Sequence, residues 1–71
     1  MNLEDYRTKL GWSKAQLARE AGINVGTVID AEKGKRIYKA TAGKIANALS
    51  RGLGEGKEIT YKDIEGLNLA D

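Results

Sequence analysis

Ten cations lie between residues 6 and 54: Arg7, Lys9, Lys14, Arg19, Lys33, Lys35, Arg36, Lys39, Lys44 and Arg51. Only Glu20, Asp30 and Glu32 oppose them there, leaving that stretch at +7. The chemistry open to such a set is anion capture, above all of a regularly charged phosphate backbone. The 71 residues together carry only +2, because residues 1–5 hold −2 and residues 55–71 hold −3. Charge is thus polarised along the chain, and a local patch rather than the total decides phosphate attraction. The competing reading is a solvated charged surface.

Other chemistry is narrowed by what the sequence lacks. It has no Cys and no His, which excludes disulfides, zinc sites built on those ligands and histidine acid–base catalysis. Carboxylates are present, but no glycine-rich phosphate loop follows a strand and no reaction can be assigned, so neither an enzyme nor a cofactor or metal is expected. No apolar run approaches the roughly 20 residues of a membrane span. The opening residues Asn2-Leu3-Glu4-Asp5 are polar and acidic, unlike a secretory signal. A cytoplasmic protein of the bacterial nucleoid is expected, with no membrane partner and no small-molecule ligand. The length predicts a single domain over 1–71.

The elements that must position these cations read as helices, with no Pro and with Gly or Asn as punctuation. Asn2 with Asp5 caps a first helix whose inner stripe is Leu3, Tyr6 and Leu10, ended by Gly11. Ser13 with Gln16 forms a capping box for a second helix, which runs to about Ala21 and stops at Gly22. A third helix spans about Val25 to Lys33 and ends at Gly34. A loop from Lys35 to about Lys39 leads to a fourth helix through Thr41, Ile45, Ala48 and Leu49, stopped near Gly52. Ser50 to Lys57, with three glycines, reads as a flexible loop. Thr60 and Asp63 start a short fifth helix, and the tail from Asn68 to Asp71 is expected to fray. The predicted class is all-α, four to five short helices. Its core comprises Leu3, Leu10, Trp12, Leu17, Ile23, Val28, Ile37, Ile45, Leu49, Ile59 and Ile64. Trp12 reads as a cover over the junction of the first two helices. Tyr38 reads either as a phosphate-binding hydroxyl or as the edge of the core.

The most specific spacing is Gln16 to Gly34, QLAREAGINVGTVIDAEKG. Leu17 and Ala18 face inward, Gly22 breaks the helix, Ile23 drops into the core, and Asn24 caps a helix that turns Val28 and Ala31 inward. So short a turn leaves the next helix standing across the first with its outer face projecting. That is the geometry of a helix-turn-helix, over about 14–33, whose second helix is presented to the major groove of DNA.

In order and in register, LGWSKAQLAREAGI, VGTVIDAEKGKR and TAGKIANAL closely resemble the lambda-repressor and Cro family of helix-turn-helix regulators. The resemblance runs from about Tyr6 to Leu49. It rests on Leu17-Ala18, Gly22-Ile23, Val28, Glu32 with Gly34, and the run from Ile45 to Leu49. The extension from about 52 to 71 lies outside it.

The resemblance implies a lambda-repressor-like fold and a sequence-specific DNA-binding transcriptional regulator, a phage-type repressor that occupies an operator and blocks polymerase. It implies that Val25, Gly26, Ile29 and Asp30 face the bases, with Asn24 and Thr27 near the backbone. Phosphate contacts are implied for Lys33, Lys35, Arg36 and Lys39. Lys14 stands where the family often has Gln, and binds phosphate as a point charge. No Arg, Gln or Lys lies on the groove-facing positions to make bidentate base contacts. Val25 and Ile29 could pack on thymine methyls, and Asp30 could accept from a cytosine amino group or repel phosphate. The partner is double-stranded DNA, with a homodimer on half-sites as an option. The apolar face of Val25, Gly26 and Ile29 keeps a second reading open: an antitoxin-like or accessory protein-interaction module with weak or no DNA binding.

Overall fold

Polar side chains start each of the first three helices. The computed structural model describes residues 1–54 and 56–70. In chain order it contains α1 (Leu3–Lys9), α2 (Lys14–Ala21), α3 (Val25–Glu32), β1 (Arg36–Tyr38), α4 (Lys39–Leu53), a 3-10 turn (Tyr61–Asp63) and β2 (Asn68–Ala70). Asn2 Oδ1 accepts from the Asp5 N–H at 2.8 Å and Asp5 Oδ2 accepts from the Asn2 N–H at 3.1 Å, the full reciprocal box. Ser13 Oγ accepts from the Gln16 N–H at 3.0 Å. The return bond expected from the Ser13 N–H to the Gln16 side-chain oxygen does not form; the Gln16 side chain points along the helix instead, its Nε2 donating to Glu20 Oε2 at 3.4 Å.

Between α2 and α3 the chain turns on Gly22, at φ 68°. The Ile23 N–H bonds Ala18 O at 2.9 Å and the Gly22 N–H bonds Arg19 O at 3.2 Å, closing the helix end in the Schellman manner. A Cβ added at Gly22 would meet nothing within 4 Å, so a substitution there is opposed by backbone strain alone. Gly22→Val is expected to lose about 1–2 kcal/mol, and Gly22→Asn less, because Asn tolerates the left-handed region. Urea melts of the two variants measure this; a Val variant as stable as the parent would remove the turn's dependence on that conformation.

Helix α4 lies against α2, and α2 against α3. The buried residues of α4 are Ala42, Ile45, Ala46, Ala48 and Leu49, a stripe at three- and four-residue spacing. Ala42 and Ala46 were absent from the predicted core; as small residues they mark close helix packing rather than bulk. Of the predicted core, Leu3, Leu17, Val28, Ile37, Ile45, Leu49 and Ile64 are buried. Leu10, Trp12, Ile23 and Ile59 are only half-buried and pack around that centre. Gly52 does not stop α4, which continues to Leu53. A Cβ at Gly52 would come within 2.8 Å of the Trp12 ring, so its role is to let the indole lie flush on the helix.

The class is not strictly all-α. The expected loop after Lys35 contains β1, and the expected frayed tail contains β2, paired in parallel with Arg36 opposite Asn68, Ile37 opposite Leu69 and Tyr38 opposite Ala70. Residue Asp71 of that tail lies outside the described residues. Parallel strands need a long crossover, and α4 with the following turn provides it. The expected fifth helix is a single 3-10 turn, where the Thr60 N–H donates to Asp63 Oδ2 at 2.8 Å. Of the predicted 50–57 loop, Ser50 to Leu53 belong to α4, and Glu55 lies outside the described residues. Ser50 Oγ accepts from the Ile59 N–H at 2.9 Å and lies 2.9 Å from Ala46 O, its acceptor, clipping the C-terminal segment to α4. Ile64 then joins the buried core, and the next residue's N–H, that of Glu65, bonds Met1 O at 3.1 Å.

Candidate nucleic-acid interface

Helix α3 turns Val28 and Ala31 into the core. At about 100° per residue, the opposite side holds Gly26, Ile29 and Asp30, with Val25 at its leading edge. Val25 is 41% exposed, an apolar side chain held out in water. Gly26, Thr27, Ile29 and Asp30 are half-buried. Asn24 Oδ1 accepts from the Gly26 N–H at 2.8 Å, which leaves its amide nitrogen as a donor. A Cβ at Gly26 would stand 3.2 Å from that oxygen, so the glycine gives the cap its room.

The segment after α3 gathers the cations. Lys33 is its C-cap, and Lys35 and Arg36 are exposed. Strand β1 buries Ile37 and turns Arg36 and Tyr38 outward. Tyr38 is 66% exposed, which removes it from the core edge and leaves its side chain in water, between Arg36 and Lys39 in sequence. Lys39 opens α4, whose N-cap residue Tyr38 supplies no side-chain hydrogen bond. The first turn of α4 therefore carries backbone N–H groups without a side-chain cap at the positive end of the helix dipole. Lys33, Lys35, Arg36 and Lys39 are thus joined in one seven-residue stretch between α3 and α4. Lys14 stands on another element, exposed at the first position of α2.

Two cations counted in the basic stretch serve the fold. Arg7 Nε donates to Glu32 Oε2 at 2.7 Å and Arg7 Nη2 to Glu32 Oε1 at 3.2 Å, a fork on a carboxylate. A third donor, Nη1, reaches Trp12 O at 2.9 Å. The two side chains are only 12% and 7% exposed. Hydrogen bonding to Glu32 holds the Arg7 guanidinium above its ordinary value, outweighing the opposing effect of burial. This pair ties α1 to the last residue of α3, fixing the end of the projecting helix. Arg51 likewise donates to the Glu20 carbonyl in the last turn of α2. Sequence reasoning missed both links, since the partners lie 25 and 31 residues apart and no local pattern joins them.

Asp30 and Lys35 form the other pair on this face, with Nζ 3.8 Å from Oδ1 and both side chains about half exposed or more. Among the described residues no helix is long and apolar enough to cross a membrane.

A family model described as helix-turn-helix matches residues 3–55, extending the resemblance beyond Tyr6 to Leu49 at both ends. No curated protein and no solved structure gives a significant match. With three quarters of its length matched, and with α2 and α3 crossing at the Gly22 turn, the chain belongs to the lambda-repressor and Cro type of helix-turn-helix family, whose members are DNA-binding regulatory domains and not enzymes.

Proposed function

We propose that this chain is a sequence-specific transcriptional repressor of the phage type, acting in the bacterial cytoplasm by inserting α3 into the major groove and occupying an operator. The observation that carries this reading is the outward face of α3 continued directly by Lys33, Lys35, Arg36 and Lys39. With its side chains an α-helix such as α3 is about 10–12 Å across, which the major groove, about 12 Å wide, admits. Val25, Gly26, Ile29 and Asp30 meet base edges, Val25 and Ile29 through thymine methyls. Gly26, without a side chain, lets the backbone approach the groove floor. Lys14, Lys33, Arg36 and Lys39 contact phosphates, helped by the Asn24 amide, the Thr27 hydroxyl and the uncapped start of α4. Two copies bind half-sites about 34–36 Å apart as a homodimer on DNA. The 29 Å longest dimension of one copy lets neighbours abut at that spacing without overlap.

Selection from a random duplex pool tests this reading. The bound fraction is expected to converge on a site with thymines opposite Val25 and Ile29. Replacing a contacted thymine by uracil keeps O4 and removes only the methyl; burial of about 0.8 kcal/mol per methyl makes the expected loss near fourfold. Val25→Ala or Ile29→Ala is expected to abolish that thymine preference. Failure to bind duplex, with Val25 and Ile29 variants instead losing a protein contact, would give the interaction-module reading in its place.

A further inference from the structure

We propose that Asp30 and Lys35 act together as a reader of one base pair, with Asp30 accepting from the cytosine amino group and Lys35 donating to the guanine of the same C·G pair. This deepens the DNA-binding reading and rests on it. Asp30 is the one carboxylate on the outward side of α3, since Glu32 is bound by Arg7. Lys35 Nζ lies 3.8 Å from Asp30 Oδ1. The two residues are also fixed to each other through the backbone, where the Lys35 N–H bonds Asp30 O at 2.9 Å. Their relative placement is therefore set by the helix end and not by the side chains alone.

The major-groove edge of a C·G pair offers, side by side, the N4 amino donor of cytosine and the O6 acceptor of guanine, with N7 as a further acceptor beyond it. The donor and acceptor are themselves joined by an N–H···O bond of about 2.9 Å. An acceptor and a donor 3.8 Å apart on the protein can lie along that edge, each within hydrogen-bond reach of its complement. Reversing the base pair places O6 against the carboxylate and the amino group against the ammonium. T·A fails in the same way. A·T keeps the central order, but sets adenine N7 beside the carboxylate and the thymine methyl beside the ammonium. C·G in one orientation is the best fit.

Both side chains are solvated and their mutual attraction is weak, so exchanging it for base contacts costs little. That exchange gives Lys35 a base-reading role in place of the phosphate contact its charge alone suggests.

The test is selection from a random duplex pool by the full chain and by Asp30→Ala, Asp30→Asn and Lys35→Met, followed by affinity measurements on the selected duplex and on its single base-pair variants. Thermal melts check that each variant is folded. The parent is expected to select C·G at one position and to lose about 5- to 100-fold when that pair is reversed. Asp30→Ala should erase the preference at that position only, and Asp30→Asn should move it toward A·T, since an amide pairs with adenine N6 and N7. Lys35→Met should reduce discrimination there while leaving affinity for unrelated duplex nearly unchanged. A uniform loss on all sequences, with a salt dependence shallower by about one phosphate, would make Lys35 a backbone contact and overturn the proposal. A selected site unaltered by Asp30→Ala would overturn it too, with DNA binding itself intact. No duplex binding by the parent at any salt concentration would overturn both readings.

Discussion

Glu32→Ala is expected to lower stability by about 2–4 kcal/mol, because it leaves the Arg7 guanidinium largely covered without its counter-ion. A domain of this size has on the order of 4–10 kcal/mol in total, so the variant approaches the edge of folding. Its melting temperature should fall by roughly 10–25 °C. Replacing both partners with apolar residues, Arg7→Met with Glu32→Met, should recover much of that loss, since no charge is then buried alone. Urea melts of Arg7→Met, Glu32→Met and the double variant, beside Glu32→Ala, measure the coupling directly. A Glu32→Ala chain within about 0.5 kcal/mol of the parent would show that the pair does not hold the helices together. DNA binding is expected to fall with folding, because Glu32 is the last residue of the projecting helix.

Affinity for duplex DNA is expected to fall about 60- to 1000-fold between 50 and 200 mM monovalent salt. In the proposed binding mode Lys14, Lys33, Arg36 and Lys39 neutralise about four phosphates per copy, with the start of α4 near a fifth. The corresponding log–log slope is about −3 to −5 per monomer. Arg36→Ala or Lys39→Ala should weaken all duplexes alike and make the slope shallower by about one. Arg7→Met should leave the slope unchanged provided the chain remains folded, because that guanidinium is held by Glu32 and Trp12. Titrations at four or more salt concentrations settle the matter. A slope that steepens with the number of all ten cations would mean that the structural arginines reach the DNA as well.

The helices that carry the candidate interface were legible in the sequence because their signals are local. Asn2, Ser13 and Asn24 each cap the helix that follows, and Gly22 sits in the left-handed conformation its place predicts. The apolar spacing of Leu17, Ala18, Val28 and Ala31 marks the faces that pack together, and so leaves Val25, Ile29 and Asp30 on the outside. A capping hydrogen bond spans two or three residues and a helical stripe repeats every turn, so both are written into neighbouring positions. Family membership was legible for the same reason.

The strands were not legible. A three-residue stretch such as Arg36–Tyr38 has one buried side chain and no periodicity, and becomes a strand only when Asn68–Ala70 returns to pair with it. The docking of the C-terminal segment was not legible either: the Ile59 N–H bonds Ser50 Oγ and Ile64 joins the buried core, links that span the chain and leave no local pattern.

The sequence by itself determined which segments are helices, where they turn, which of their faces are apolar, and that the cations concentrate between residues 6 and 54. Only the tertiary structure decided which of those cations are available. Arg7 is spent on Glu32 and Arg51 on the Glu20 carbonyl, while Lys35 stands against Asp30 and Tyr38 is left in water. The physical reason is range: capping and amphipathic order act between near neighbours, whereas an ion pair or a strand ladder joins groups that only chain closure brings within a few ångströms.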